Sequence, residues 1–62
     1  MILRRAANLS SSDNVRLEDG RLWNVKSVIR AEEGRILVLL TRTVGESMKL
    51  DLWADDLVHL AN

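Results

Sequence analysis

Asp55, Asp56 and His59 are the one group of side chains in this sequence whose types and spacing suggest metal ligation or acid–base chemistry. On a helix the three would share a face, and two carboxylates with an imidazole can hold a divalent ion. Three weak ligands on a terminal segment leave most of a coordination shell unfilled. The preferred reading is therefore a pair of solvated turn carboxylates beside an exposed strand histidine. His59 is the sole histidine and there is no cysteine, which removes the usual ligands of a zinc site. No Ser-His-Asp or Cys-His set occurs, and no Gly-rich phosphate loop opens a helix. The expectation is a protein that is not an enzyme and takes no cofactor. An active site assembled at the symmetry axis of an oligomer is the one catalytic reading that a single chain's motifs would miss.

Binding is better represented than catalysis. Trp23 and Trp53 are the only aromatic residues, and tryptophan is enriched at binding hot spots. Trp23 shares a parity with Val25 and Ile29, which predicts a core position. Trp53 shares its parity with Lys49 and Asp51, opposite Met48, Leu50 and Leu52, which predicts an exposed ring beside charges and beside the turn that holds Asp55. Trp53, Lys49, Asp51 and Asp55 are thus the candidate partner-binding residues, the alternative for Trp53 being that it folds back over an open end of the fold. Lys26 and Arg30 share a face of one strand, and Arg42 on the next strand is expected as their neighbour; such a stripe could track a phosphate backbone. The competing reading is a solvated face balanced by Glu18, Glu32, Glu33 and Asp51. Stacking aromatics, which single-strand binders normally add, are scarce.

The elements that must position these residues are strands. Residues 15–18 alternate apolar and charged, as in a half-buried strand. Asp19 and Gly20 suit a two-residue hairpin turn. Residues 21–31 form a long strand with Trp23, Val25, Ile29 and Ala31 on one parity and Leu22 and Val28 on the other, a pattern that calls for a sharp bend. Gly34 is expected in a left-handed turn, and residues 36–40 read as a central strand. Val44, Gly45 and Glu46 turn the chain again. Residues 48–53 then alternate, residues 54–57 are expected as a single 3₁₀ turn, and residues 58–61 as a last short strand. A C-terminal helix over residues 54–61 is the rival reading, with Asp55 and Asp56 favoured at its N-terminus. The predicted core is Leu17, Trp23, Val25, Ile36, Val38, Leu40, Leu50, Leu52 and Leu60.

The first nine residues fit an amphipathic helix, a frayed strand or a disordered arm, and the serines before Asp13 read as a polar linker. The division is therefore an N-terminal arm or short helix with its linker over residues 1–14 and a β domain over residues 15–62. A chain of 62 residues buries so little of its unfolded surface that hydrophobic gain and ordering entropy nearly cancel. Disulfides and zinc cannot assist, so self-association, in the first instance as a dimer, is expected to. The formal net charge is zero, unlike a dedicated duplex-binding domain. No apolar run is long enough to span a membrane, and no secretory signal follows Arg4 and Arg5. The expectation is a soluble, cytoplasmic chain.

In its succession of hairpins, turn and short final strand, the chain resembles the SH3-like and Sm-like small barrels over residues 15–61. That resemblance is one of pattern. It implies an all-β fold of five strands curled into a barrel, with a short helix before the first strand as in Sm-like proteins, and it gives residues 2–9 a place. The functional expectation is a non-catalytic binding module, a small accessory or regulatory protein acting through protein–protein contacts. The alternative is a nucleic-acid-binding regulatory protein of the same barrel type.

Overall fold

Apolar–polar alternation runs through most of the chain. In the computed structural model, which describes residues 2–43 and 45–61, it yields an all-β domain of six antiparallel strands. These are β1 (Ile2–Arg5), β2 (Asn14–Arg16), β3 (Leu22–Arg30), β4 (Arg35–Thr41), β5 (Ser47–Trp53) and β6 (Leu57–Leu60). They form one sheet in the order β1-β6-β2-β3-β4-β5. The five expected strands are β2 to β6, and β1 is an addition. There is no α-helix among the described residues. The N-terminal helix implied by the barrel resemblance is therefore replaced by an edge strand, which pairs with β6 from Ile2↔Leu60 to Arg5↔Leu57. The rival C-terminal helix gives way to a turn, closed by the Asp56 N–H on the Trp53 carbonyl at 3.0 Å, and to β6. Strand alternation wins there because β6 gains partners on both sides, β1 and β2.

The sheet curls but is not closed into a barrel by hydrogen bonds, since β1 and β5 remain its two edges. A short 3₁₀ turn, Ala6–Asn8, spans part of the gap. The Ala6 N–H bonds the Asp56 carbonyl at 2.8 Å and the Ala7 N–H bonds the Ala54 carbonyl at 3.1 Å. Arg30 completes this end by donating from Nη2 to the Ala7 carbonyl at 2.9 Å.

The core contains Ala6, Leu9, Val15, Trp23, Val25, Ile36, Val38, Leu40, Val58 and Leu60. Six of the nine expected core residues are in it; Leu17, Leu50 and Leu52 pack against it half-buried. The inward set changes parity within β3. A β-bulge between Val25 and Ser27 makes Lys26 an extra residue in the ladder, and an extra residue turns every following side chain over. Val28 therefore packs toward the core while Ile29, expected inside with Trp23, is 48% exposed.

Two turns carry the left-handed backbone expected of them, with φ of 81° at Gly20 and 76° at Gly34. The first hairpin is nevertheless a three-residue loop. Leu17 and Arg21 close it (N–H to carbonyl, 3.1 Å), the Gly20 N–H bonds the Leu17 carbonyl at 2.9 Å, and Asp19 keeps a negative φ. A tight turn followed by one left-handed glycine is the standard alternative to the two-residue form. In the second turn Glu33 shares the left-handed region, with φ 60° and ψ 31°. Val44, part of the third expected turn, lies outside the described residues.

Candidate partner-binding face

The seven residues of β5 alternate strictly, Ser47, Lys49, Asp51 and Trp53 exposed and Met48, Leu50 and Leu52 half-buried. Its register with β4 sets Trp53 opposite Arg35, Asp51 opposite Leu37 and Lys49 opposite Leu39. On the far side of β4, Leu37 faces Ile29 and Leu39 faces Ser27. The outer surface of the three strands thus carries Trp53 and Ile29 at its margins, Leu37 and Leu39 half-buried between them, and Arg35, Asp51 and Lys49 interspersed.

Trp53 is 53% exposed yet closely held. The Arg35 guanidinium lies 4.1 Å from the centre of its ring, within the range of a cation–π contact. Arg35 also donates from Nε to Asp51 Oδ1 at 3.2 Å and forms an ion pair with it. At the backbone, the Trp53 N–H donates to Asp56 Oδ2 at 2.8 Å, and the Trp53 carbonyl accepts the Asp56 N–H. Asp55 is exposed at the tip of that turn. Trp53, Asp51 and Asp55 therefore cluster at one end of β5, with Lys49 further along the same face. Arg35, which stacks on the ring, is not singled out by the sequence, and Asp56, which holds the Trp53 backbone, figures there only as a metal ligand or turn carboxylate. Arg35 carries no local signal of this role, because the role depends on the β4–β5 register.

The structure does not bring Lys26, Arg30 and Arg42 together. Arg30 pairs with Ile36 at one end of the β3–β4 ladder, whereas Arg42 follows Thr41, which pairs with Asn24 at the other. Arg30 is engaged by the Ala7 carbonyl. Arg42 donates to Glu46 Oε2 at 3.3 Å and lies 5.7 Å from the Trp23 ring centre. Lys26 is the bulge residue. Asp55 and Asp56 lie in a turn and His59 on a strand, so the helical face that would have gathered them does not form. Among the described residues no group of three His, Cys, Asp or Glu side chains is placed to hold a metal ion.

A second feature lies on the inner side of β5. A groove of about 740 Å³ opens between β5 and the β2–β3 hairpin, with Leu17, Leu50, Leu52 and Val58 as its apolar lining and Arg16 and His59 at its polar rim. It exists because the sheet stops at β5 instead of closing.

Comparison of the chain with protein-family models, with curated proteins and with solved structures yields no match.

Proposed function

We propose that this chain is a non-catalytic binding module that recognises a protein partner through the outer face of β4 and β5 around Trp53. The observation that carries this reading is the half-exposed Trp53 ring, with the Arg35 guanidinium 4.1 Å from its centre. An aromatic anchor whose ring is stacked by Arg35 and whose backbone is held by Asp56 loses less side-chain freedom on binding, one of the costs an interface must offset. Its neighbours are of the kind an interface core uses: Ile29, Leu37 and Leu39 for apolar contact, and Arg35, Asp51 and Lys49 for a polar rim. The architecture is proposed to be that of an SH3-like or Sm-like small barrel left open along one seam. Supporting this is the return of β6 to pair with β2 after the β2–β5 meander.

The nucleic-acid reading has less support, because the three candidate cations are dispersed and two are engaged within the chain. The two readings separate in one experiment. The tagged chain is recovered from its native cell after cross-linking, with and without nuclease, across a salt series. A protein partner retained after nuclease and lost with Trp53→Ala supports the proposal. Recovery that depends on nucleic acid and falls steeply with salt supports the alternative.

A further inference from the structure

We propose that β5 is a self-pairing edge: two copies of the chain join their β5 strands antiparallel about a two-fold axis at Leu50, extending the sheet across the dimer. This inference does not depend on the face around Trp53 recognising another protein.

The backbone identifies which groups are available. In an antiparallel ladder alternate residues direct both N–H and C=O to the same neighbour. Just beyond the two ends of β5, Glu46 accepts the Arg42 N–H and Ala54 donates to the Gly34 carbonyl. By alternation Met48, Leu50 and Leu52 bond β4, and Ser47, Lys49, Asp51 and Trp53 turn their backbone groups to the open edge. Trp53 shows this directly, because both its groups are taken by Asp56 rather than by β4. Asp56 thereby caps the end of the edge and leaves Lys49 and Asp51 as its central hydrogen-bonding residues.

Side-chain charge then selects the register. Two-fold pairing about Leu50 sets Lys49 of each copy opposite Asp51 of the other, and those are the pairs that exchange backbone hydrogen bonds. Shifting the axis to Lys49 places two lysines opposite each other, and shifting it to Asp51 places two aspartates opposite each other; like charges directly opposite are destabilising. On the inner face the Leu50 register sets Leu50 against Leu50 and Met48 against Leu52. All three are half-buried, and Leu50 and Leu52 border the open groove, so the pairing covers apolar surface that the single chain leaves wet. Lys49 makes no ion pair with a described residue, which leaves it available across the axis. A symmetric contact also closes on itself and consumes the β5 edge, which otherwise invites open-ended pairing.

Charge reversal provides the test. Sedimentation of the whole chain from about 1 μM to about 1 mM covers the affinities a small interface allows. The wild type is expected to dimerise, and Lys49→Asp or Asp51→Lys alone to weaken the dimer about tenfold or more, with circular dichroism confirming the fold. Mixing the two variants is expected to restore a mixed dimer, since each reversed residue then meets an opposite charge. Deuterium exchange gives an independent reading: the Lys49 and Asp51 amides should gain protection as concentration rises. A wild-type monomer throughout the range, a dimer indifferent to either reversal, or open-ended assembly would each overturn the proposal.

Discussion

Arg4 holds both carboxylate oxygens of Asp13, at 3.0 and 3.2 Å, and so ties the edge strand β1 to the entry of β2. Asp13 is 3% exposed, a burial that a carboxylate tolerates only when its charge is compensated. The Ser10 N–H adds a further bond at 2.9 Å, and the Asp13 carbonyl accepts the Val25 N–H at 3.0 Å. What reads in the sequence as a polar linker is a buried clasp.

Replacing Asp13 with Ala is therefore expected to lower stability by about 2–4 kcal/mol, because the clasp and its compensated charge go together. Arg4→Ala should cost less, about 1–2 kcal/mol, since the Asp13 carboxylate keeps its Ser10 N–H bond and the vacated, 39% exposed Arg4 position admits water to it. Urea denaturation of both variants checks the order. An Asp13 variant as stable as the wild type would mean that the clasp is incidental.

Val38 is 1% exposed on the inner face of β4, whereas its neighbour Leu37 points outward and is half-buried. Val38→Ala should cost about 1–3 kcal/mol, and Leu37→Ala less than about 1 kcal/mol, in spite of the larger side chain removed. Thermal melting of the pair tests the facing of β4. The reverse order would place β4 the other way round.

The left-handed turns allow a pair of opposite substitutions. Nothing lies within 4 Å of a side chain added at Gly20 or Gly34, so the cost there comes from backbone conformation alone. Gly34→Val should destabilise by about 1–2 kcal/mol. Glu33, left-handed without being glycine, should accept Asn with a gain of up to about 1 kcal/mol, because Asn tolerates this region better. A melting temperature lowered by Glu33→Asn would contradict the turn geometry.

The parts of the fold that local pattern encodes were legible: the five strands β2 to β6, the left-handed glycines and the exposed parity of Trp53. The parts that long-range pairing decides were not. β1 becomes a strand only because β6, at the far end of the chain, offers it an edge, and Ala6 and Leu9 enter the core only once that pairing exists. The bulge at Lys26 has no signature beyond apolar residues on both parities. That signal indicated a bend, but not that Ile29 would turn outward. The candidate site was visible as Trp53, Lys49, Asp51 and Asp55, while its supports Arg35 and Asp56 follow from strand register and turn closure.

Because Trp53 rests on Arg35 at the surface, its removal should separate binding from folding. Trp53→Ala is expected to change stability by less than about 1 kcal/mol. Arg35→Met should leave the ring in place but less restrained, weakening partner binding without abolishing it. Denaturation curves together with the intrinsic fluorescence of Trp53 in a Trp23→Phe background would report both effects. Global unfolding on loss of Trp53 would make the ring structural instead.

The central claim is that the face around Trp53 binds a protein. Its most direct test is site-specific photo-cross-linking in the native cell, with the photoreactive residue at Ile29, on the same outer face but away from the β5 edge, and nuclease applied before recovery. The account predicts a discrete adduct with a protein other than this chain, unaffected by nuclease and lost when Trp53→Ala is combined with the probe. A probe at Ile29 that captures only nucleic acid, or a protein adduct that persists unchanged without the Trp53 ring, would contradict it.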